Sequence, residues 1–322
     1  MGVRSRFAQR LVTLPDDVSS VVRSGPEEPA TFDVERVWRE MVGFYRTGLH
    51  PAIALCVRHQ GRVVLDRTIG HVDNPPGAAS PGPVATPDTL FSLFSASKIL
   101  TAMVIHSIAE EGLLDLDAPA ATYLPELARH RKERIRLTHL LNHTAGIADM
   151  PQGLDVDRFL DEGRLSIELL ADLAPSHPPG LRVAYHPMTS WLILSEIVQR
   201  VTGQDLRQHL QERFLDPLGM KNLSYGVGPA DISRVARHAT TGPVAPRMMD
   251  RIFTRTIGVS CSLVEQTNED RFLTGLFPSA NIIGTANETC RFMQMLLDGG
   301  ELDGVRVLRA DTVRRAVTEV TG

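Results

Sequence analysis

Apolar residues recur at helical spacing in two segments of the first third of the chain. In residues 31–45 they come every three to four positions, and Asp33 stands where it can cap the first turn. After Lys98 they cover most of the helical circumference, and glycine follows at Gly112. This second pattern predicts a helix that is buried in the middle of a domain and ends at that glycine.

The middle of the chain has the same helical character. An apolar run follows Tyr185 and ends at Gly203, so we expect Tyr185 at the junction between a loop and a helix. A shorter helix is predicted over residues 138–143. We therefore interpret residues 115–275 as mostly helical, with short loops.

Two short runs rich in β-branched residues predict a hairpin. They cover residues 52–58 and 63–70 and flank a turn that contains Gly61. Residues 71–87 are dense in Pro, Gly and Ala and are interpreted as a loop. Residues 1–30 are polar and are expected to be a loosely ordered leader.

The candidate chemistry lies where the buried helix begins. Ser95 precedes Lys98 by three residues, which places both side chains on one face if the run is helical. Burial and the positive end of the helix disfavour the ammonium form of a lysine and favour a negative hydroxyl oxygen. A serine next to a lysine that can accept its proton is an activated nucleophile.

The alternative for this pair is an ordinary helix-capping serine followed by a solvated lysine. Lysine is scarce in this chain, however, and occurs only at Lys98, Lys132 and Lys221 among 34 Lys and Arg residues. Arginine keeps its proton, whereas a buried lysine can lose one. The scarcity therefore favours the chemical interpretation.

Composition excludes some classes of partner. The net charge of -4 argues against a nucleic-acid-binding surface, and no apolar stretch is long enough to span a bilayer. The sequence shows no secretory signal, and its three cysteines, Cys56, Cys261 and Cys290, are too few and too scattered for a disulfide framework. We therefore expect a protein of the cytoplasm, with no nucleic-acid partner and no membrane span.

The sequence does not match the common motifs for zinc proteases, α/β-hydrolases or nucleotide-binding proteins. His139 and His143 are four residues apart, but Leu140 stands where a zinc protease needs its glutamate, so capping or packing roles are favoured. The segment 258–262 lacks the second glycine of a G-x-S-x-G elbow, and no nucleotide-binding glycine motif occurs. No metal and no cofactor are expected.

Several segments taken together resemble the serine β-lactamase and penicillin-binding-protein superfamily, in particular its class C-like branch with the family VIII-type esterases. The matching segments are the S-x-x-K box at 95–98, I-R-L-T-H-L-L-N-H-T-A-G at 135–146, the tyrosine box at 185–191, P-L-G-M at 217–220, P-S-A-N at 278–281 and L-L-D-G-G-E-L-D-G at 296–304.

This resemblance implies an α+β fold in which an antiparallel sheet is flanked by helices and joined by a mostly helical region. The hydrolase domain would cover residues 31–322. Its sheet-associated part would be about 31–114 and 276–322, and its helical part about 115–275. Ser95 would be the nucleophile, Lys98 its general base, and Tyr185 a second base that protonates the leaving group and activates water. The Ser95 N–H would supply half of the oxyanion hole.

The sequence departs from the family pattern in two places. Pro187 stands where the β-lactamase form Y-x-N has asparagine, which favours ester hydrolysis over β-lactam turnover. The third box, a K-T-G or His/Gly-rich strand, does not appear before Gly322, so the C-terminal strands of the sheet are expected to be missing from this chain.

The function expected from the resemblance is a serine hydrolase that acts on small-molecule ester or amide substrates, most specifically an esterase on small carboxylic esters. A β-lactamase or D-Ala-type peptidase uses the same residues and remains an alternative. A non-catalytic binding protein on this fold is a second alternative, because of the absent third box.

Overall fold

The computed structural model of the protein describes residues 9–149, 158, 167–243 and 263–318. Cys261 and the segment 258–262 lie outside these residues. The chain divides into two compact units. The first contains residues 1–92, 228–273 and 283–294, and the second contains residues 93–227, 274–282 and 295–322.

The helices and strands are numbered in chain order. The α-helices are α1 Val34–Arg46, α2 Ser97–Glu110, α3 Leu137–Leu141, α4 Ile167–Ala171, α5 Thr189–Thr202, α6 Leu206–Leu210, α7 Leu263–Gln266, α8 Asp270–Thr274, α9 Ala286–Leu297 and α10 Ala310–Thr318. The strands are β1 Gln9–Arg10, β2 Val22–Ser24, β3 Ala52–His59, β4 Arg62–Gly70, β5 Phe91–Ser92, β6 Leu223–Tyr225, β7 Gly242–Pro243, β8 Ile282–Gly284, β9 Glu301–Leu302 and β10 Val305–Arg306.

The main sheet of the first unit is antiparallel, with strand order β2-β4-β3. The predicted hairpin is confirmed as β3 and β4, whose register shifts once, between Val57 and Arg58. The predicted first helix is confirmed as α1, and the Asp33 carboxylate caps it by accepting the N–H of Arg36 at 3.0 Å. Trp38 and Tyr45 of α1 pack on Leu65 and Ile69 of the sheet to form the core of this unit.

The expectation of a loosely ordered leader over residues 1–30 is wrong for the part that the structure describes. Val22–Ser24 forms strand β2 on the edge of β4, and Val21 beside it is only 4% exposed in the core. Glu27 forms an ion pair with Arg67 at 2.7 Å. One side of the segment faces solvent, whereas backbone pairing fixes the other side together with Val21 and the apolar side chains of Leu14, Val18 and Val22, which pack on the same core.

The second unit is built around α2. Ten of its side chains are buried, and the helix packs against α5, α6 and α10. It ends before Gly112, whose φ of 80° is a left-handed conformation that glycine adopts without strain. The predicted buried helix is therefore confirmed, as is α5, which ends at Gly203 with a φ of 75°.

The two compact units do not coincide with the sheet-associated and helical parts predicted from the sequence. Residues 93–114 and 295–322, expected with the sheet, group with the helical unit instead. Helix α10 packs against α2, and Val313 of α10 is buried. None of the helices in the described part of the chain has the length and hydrophobicity that crossing a membrane requires.

Candidate active site

Ser95 lies at the point where α2 begins. It occupies a short 3-10 turn, Phe94–Ala96, which leads directly into the α-helix at Ser97. The Ser95 side chain is exposed, whereas Lys98, in the first turn of α2, is buried with 7% of its surface exposed. The Lys98 Nζ lies 3.2 Å from the Ser95 Oγ and donates to it. The predicted adjacency of the two side chains is thus present.

Burial sets the charge of Lys98. Desolvation lowers its pKa from 10.5 to about 8. Its Nζ also donates to the main-chain oxygen of Ser279 at 2.9 Å, and it lies 5.4 Å from the ring centre of Tyr185 and 5.8 Å from that of Trp191. No carboxylate accompanies the ammonium in these contacts, so a substantial fraction of Lys98 is neutral at a pH near 8 and can accept a proton.

Tyr185 completes the group from a loop 90 residues further along the chain. Its hydroxyl donates to the Ser95 Oγ at 2.7 Å, and its side chain is 46% exposed. The Ser95 oxygen therefore accepts hydrogen bonds from two side chains while it faces solvent. The structure brings together all three residues that the sequence singled out.

The Tyr185 loop is fixed by hydrogen bonds with the segment after α3. The N–H of Ala184 donates to the carbonyl of His143 at 2.9 Å, and the N–H of His186 donates to the His143 Nδ1 at 3.1 Å. The His186 Nε2 accepts the N–H of Ile147 at 3.0 Å. These hydrogen bonds hold Tyr185 in place although its own ring is half exposed.

His143 forms a neutral wall of the site. Its ring lies 5.0 Å from that of Tyr185 and 5.9 Å from that of Trp191. Desolvation, followed by the charges of His186 and Lys98, lowers its pKa to about 4. Because its Nδ1 accepts a hydrogen bond, the neutral ring carries its proton on Nε2. His143 therefore adds no positive charge near Lys98 at neutral pH.

The packing and capping interpretation of the histidine pair is confirmed. The His139 Nδ1 accepts the N–H of Arg136 at 3.1 Å and caps α3, while His143 packs on Tyr185. Within the described residues, no group of three His, Cys, Asp or Glu side chains converges as metal ligands would.

Family comparison identifies this arrangement. Residues 38–321 match the Beta-lactamase family. The chain belongs to that family. The match covers most of the chain, including all three residues of the Ser95 group, and the α+β fold inferred from the sequence motifs is thereby confirmed.

Two relatives of this Beta-lactamase family chain carry the word esterase in their names. It is 30% identical over 275 residues to Esterase/beta-lactamase LipL of Mycobacterium tuberculosis, which covers 81% of this chain and 62% of LipL. It is 28% identical over 289 residues to Esterase EstB of Burkholderia gladioli, covering 83% of this chain and 68% of EstB. The chain thus spans less than two thirds of the length of LipL.

A solved structure gives the same result for the fold. The crystal structure of a family VIII carboxylesterase superimposes with a TM-score of 0.75 at 25% identity. The superposition covers 92% of this chain and 77% of the esterase. The fold of this Beta-lactamase family chain is therefore that of a known carboxylesterase over nearly all of its length.

The role of Ser279 was not anticipated from the sequence. Its carbonyl, rather than its side chain, accepts the Lys98 hydrogen bond. The segment is anchored on α2 because Thr101 donates to the carbonyl of Pro278 at 2.6 Å and the Ser97 Oγ accepts the N–H of Ile282 at 3.0 Å. The only sequence signal was the match of residues 278–281 to a family segment. That match did not indicate what the segment does in the site.

Backbone strain also marks the nucleophile position. Phe94 has a φ of 44° and His143 a φ of 58°, both in the left-handed region that non-glycine residues rarely adopt. Such conformations cost about 1–3 kcal/mol each and persist where the surrounding structure requires them, often at active sites. Six non-glycine residues in the described part of the chain have a positive φ, and these two lie beside the group that the sequence predicts to react, since Phe94 adjoins Ser95 and His143 contacts Tyr185.

Proposed function

We propose that the chain is a serine hydrolase that forms an acyl-enzyme at Ser95 and acts on small carboxylic esters. The observation that carries the proposal is the exposed Ser95 oxygen held between the Nζ of a buried lysine and a tyrosine hydroxyl. The named esterases among the relatives support the same reaction class.

In the acylation step, neutral Lys98 accepts the Ser95 hydroxyl proton while the Oγ attacks the ester carbonyl carbon. The electron pair of the C=O double bond moves to the carbonyl oxygen. Ser95 lies in the first turn leading into α2, where backbone N–H groups lack partners within the helix, so its N–H can stabilise that oxyanion. When the C–O bond breaks, the leaving alkoxide takes the Tyr185 proton, which the Lys98 ammonium restores.

Deacylation uses the same groups in the reverse direction. A water molecule attacks the acyl carbon and gives its proton to the base formed by Lys98 and Tyr185. The Ser95 oxygen leaves and recovers a proton, which releases the carboxylic acid and regenerates the starting state. The Lys98 Nζ lies 5.4 Å from the Tyr185 ring centre, and both side chains contact the Ser95 oxygen, so the base lies directly beside the ester bond that is broken.

The residues around Tyr185 favour an ester with an apolar group. Pro187 offers no side-chain amide at the position where the β-lactamase tyrosine box has asparagine. Leu181 and Val183 are largely exposed and lie four and two residues before Tyr185. An apolar acyl or alkoxy chain would cover these two exposed side chains.

The substrate class is tested by comparing p-nitrophenyl butyrate with the chromogenic cephalosporin nitrocefin on the same preparation. The proposal requires the larger kcat/KM for the ester. Faster cleavage of nitrocefin would reverse the substrate assignment while leaving the acyl-enzyme mechanism in place. Hydrolysis of neither compound would favour a binding protein built on this fold.

The pH dependence of ester hydrolysis should follow the ionisation of Lys98. Its pKa is about 8, and only its neutral form accepts the serine proton. We therefore expect kcat/KM to rise about tenfold for each pH unit below 8 and to level off above it. A profile measured from pH 6 to 10 that stayed flat would show that Lys98 is not the base.

Replacing Tyr185 with phenylalanine should lower kcat by about 10²- to 10³-fold, because a positioned proton donor contributes roughly that much. Binding should change little, since the ring remains. The matched control is Tyr123→Phe, which removes a hydroxyl that accepts the N–H of Asp115 at 2.7 Å away from the Ser95 group. Steady-state kinetics should separate the two variants. Equal activity in both would exclude a catalytic role for the Tyr185 hydroxyl.

A further inference from the structure

Two cysteines of the first unit lie close together on different elements. Cys56 is in the middle of strand β3, and Cys290 is in helix α9. Both are free thiols and both are partly exposed. They are 234 positions apart in the sequence, and no motif connects them. The fold alone places one beside the other.

The sheet register and the helix spacing account for the contact. Cys56 pairs across the sheet with Asp66, and directly opposed residues of an antiparallel pair point to the same face. The side-chain amide of Asn287 donates to the Asp66 carboxylate at 2.9 Å, so α9 lies over this face. Cys290 follows Asn287 by three residues and shares its side of the helix. Cys290 thereby reaches Cys56, and the two thiols are hydrogen-bonded.

The surroundings distinguish the two sulfur atoms. The hydrogen bond from the Cys56 thiol lowers the pKa of Cys290, and it outweighs burial, which acts in the opposite direction. The charge of Arg58 lowers the pKa of both thiols, whereas its backbone N–H lowers that of Cys290. The same hydrogen bond and burial raise the pKa of Cys56. A thiolate is the reactive form of cysteine, so Cys290 is the nucleophile of the pair and Cys56 is the thiol placed to resolve its product.

We propose that Cys56 and Cys290 are a redox modification site, which hydrogen peroxide converts to a disulfide between β3 and α9. The Cys290 thiolate attacks one peroxide oxygen, the O–O bond breaks, and sulfenic acid and hydroxide form. The hydroxide takes the proton released by the thiol. The Cys56 sulfur then displaces the sulfenic oxygen as a second water molecule. In total, two thiols are oxidised, one peroxide is reduced and two water molecules are formed.

The proposal is tested on the full chain by mass spectrometry after treatment with hydrogen peroxide. Free thiols are then alkylated under denaturing conditions, and the protein is digested without reduction. We expect a protein lighter by two hydrogen atoms before alkylation, a Cys56–Cys290 cross-linked peptide, and recovery of both thiols with dithiothreitol. A cross-link to Cys261, or overoxidation of Cys290 with no cross-link, would overturn the proposal.

Single-residue variants show which of the two sulfur atoms reacts with peroxide first. In Cys56→Ser, peroxide should leave a sulfenic acid at Cys290 that dimedone traps, whereas Cys290→Ser should give no dimedone adduct at Cys56. Cys261→Ser is the matched control and should form the Cys56–Cys290 cross-link at the wild-type rate. A dimedone adduct confined to Cys56 would reverse the assignment and contradict the proposed role of Arg58. The cross-linking test uses the wild-type chain and therefore does not depend on the folding of any variant. Absence of the cross-link would overturn the redox proposal and leave the Ser95 proposal unaffected.

Discussion

Replacing Ser95 with alanine is expected to lower kcat/KM for an ester by about 10⁴- to 10⁶-fold, the range seen when a serine nucleophile is removed. The fold should be unaffected. The Ser95 side chain is exposed, and surface substitutions usually change the free energy of unfolding by less than about 0.5 kcal/mol. Initial rates on p-nitrophenyl butyrate and a thermal unfolding curve measure the two effects separately.

Ser20→Ala is the matched control for this variant. Ser20 is also exposed, and its hydroxyl makes a hydrogen bond to the carbonyl of Asp17 at 2.6 Å. It should retain the wild-type rate. Retention of most of the activity in Ser95→Ala would show that another residue is the nucleophile, or that the hydrolysis comes from a contaminant.

Replacing Lys98 with methionine is expected to lower kcat/KM by about 10³-fold or more, because the Ser95 oxygen then loses the base that lies 3.2 Å away. Methionine fills a similar volume without a charge. The Ser95 and Tyr185 hydroxyls remain in contact, so a residual rate above the uncatalysed reaction should persist. Steady-state kinetics on the same ester measure the loss.

The same substitution should make the protein more stable at pH 7. The pKa of Lys98 falls from 10.5 to about 8 on folding, and a difference of that size costs about 3 kcal/mol of stability while the lysine is protonated. This cost is fully present below pH 8. It disappears as the pH rises from 8 to 10.5, where the folded protein binds fewer protons than the unfolded chain. Lys98→Met should therefore exceed the wild type in free energy of unfolding at pH 7 by up to about 3 kcal/mol, and the gap should narrow at higher pH.

Chemical denaturation at pH 7 and pH 10 measures that gap. The exposed Lys221 supplies the control, since Lys221→Met should leave the activity unchanged. A Lys98→Met protein that is inactive and also less stable at pH 7 would contradict the account, because it would make Lys98 a structural residue.

The helices α1, α2 and α5 could be predicted well from the sequence because their ends carry local signals. Asp33 caps α1, and Gly112 and Gly203 follow α2 and α5 in left-handed conformations. Each signal lies within one turn of the helix end that it marks. Strand β2 carries no such signal, since its three residues are fixed by pairing with β4 more than 40 positions away.

The site itself could be predicted only in part. The spacing of Ser95 and Lys98 is local, so the sequence alone suggested their contact. The approach of Tyr185 depends on hydrogen bonds between residues 143 and 184–186, which lie more than 40 positions apart, and its assignment came from resemblance to a family. The acceptor on Ser279 is a carbonyl, a group that every residue carries, so no residue type could have marked it.

The central claim is that Ser95 is a nucleophile activated by Lys98. A fluorophosphonate probe followed by intact-mass measurement and peptide mapping tests it most directly, because the probe reacts covalently with an activated serine whatever ester the protein prefers. The account predicts one adduct per chain, located on Ser95, absent in Ser95→Ala and formed much more slowly in Lys98→Met. An adduct on another residue, or none on the folded wild-type protein, would contradict it.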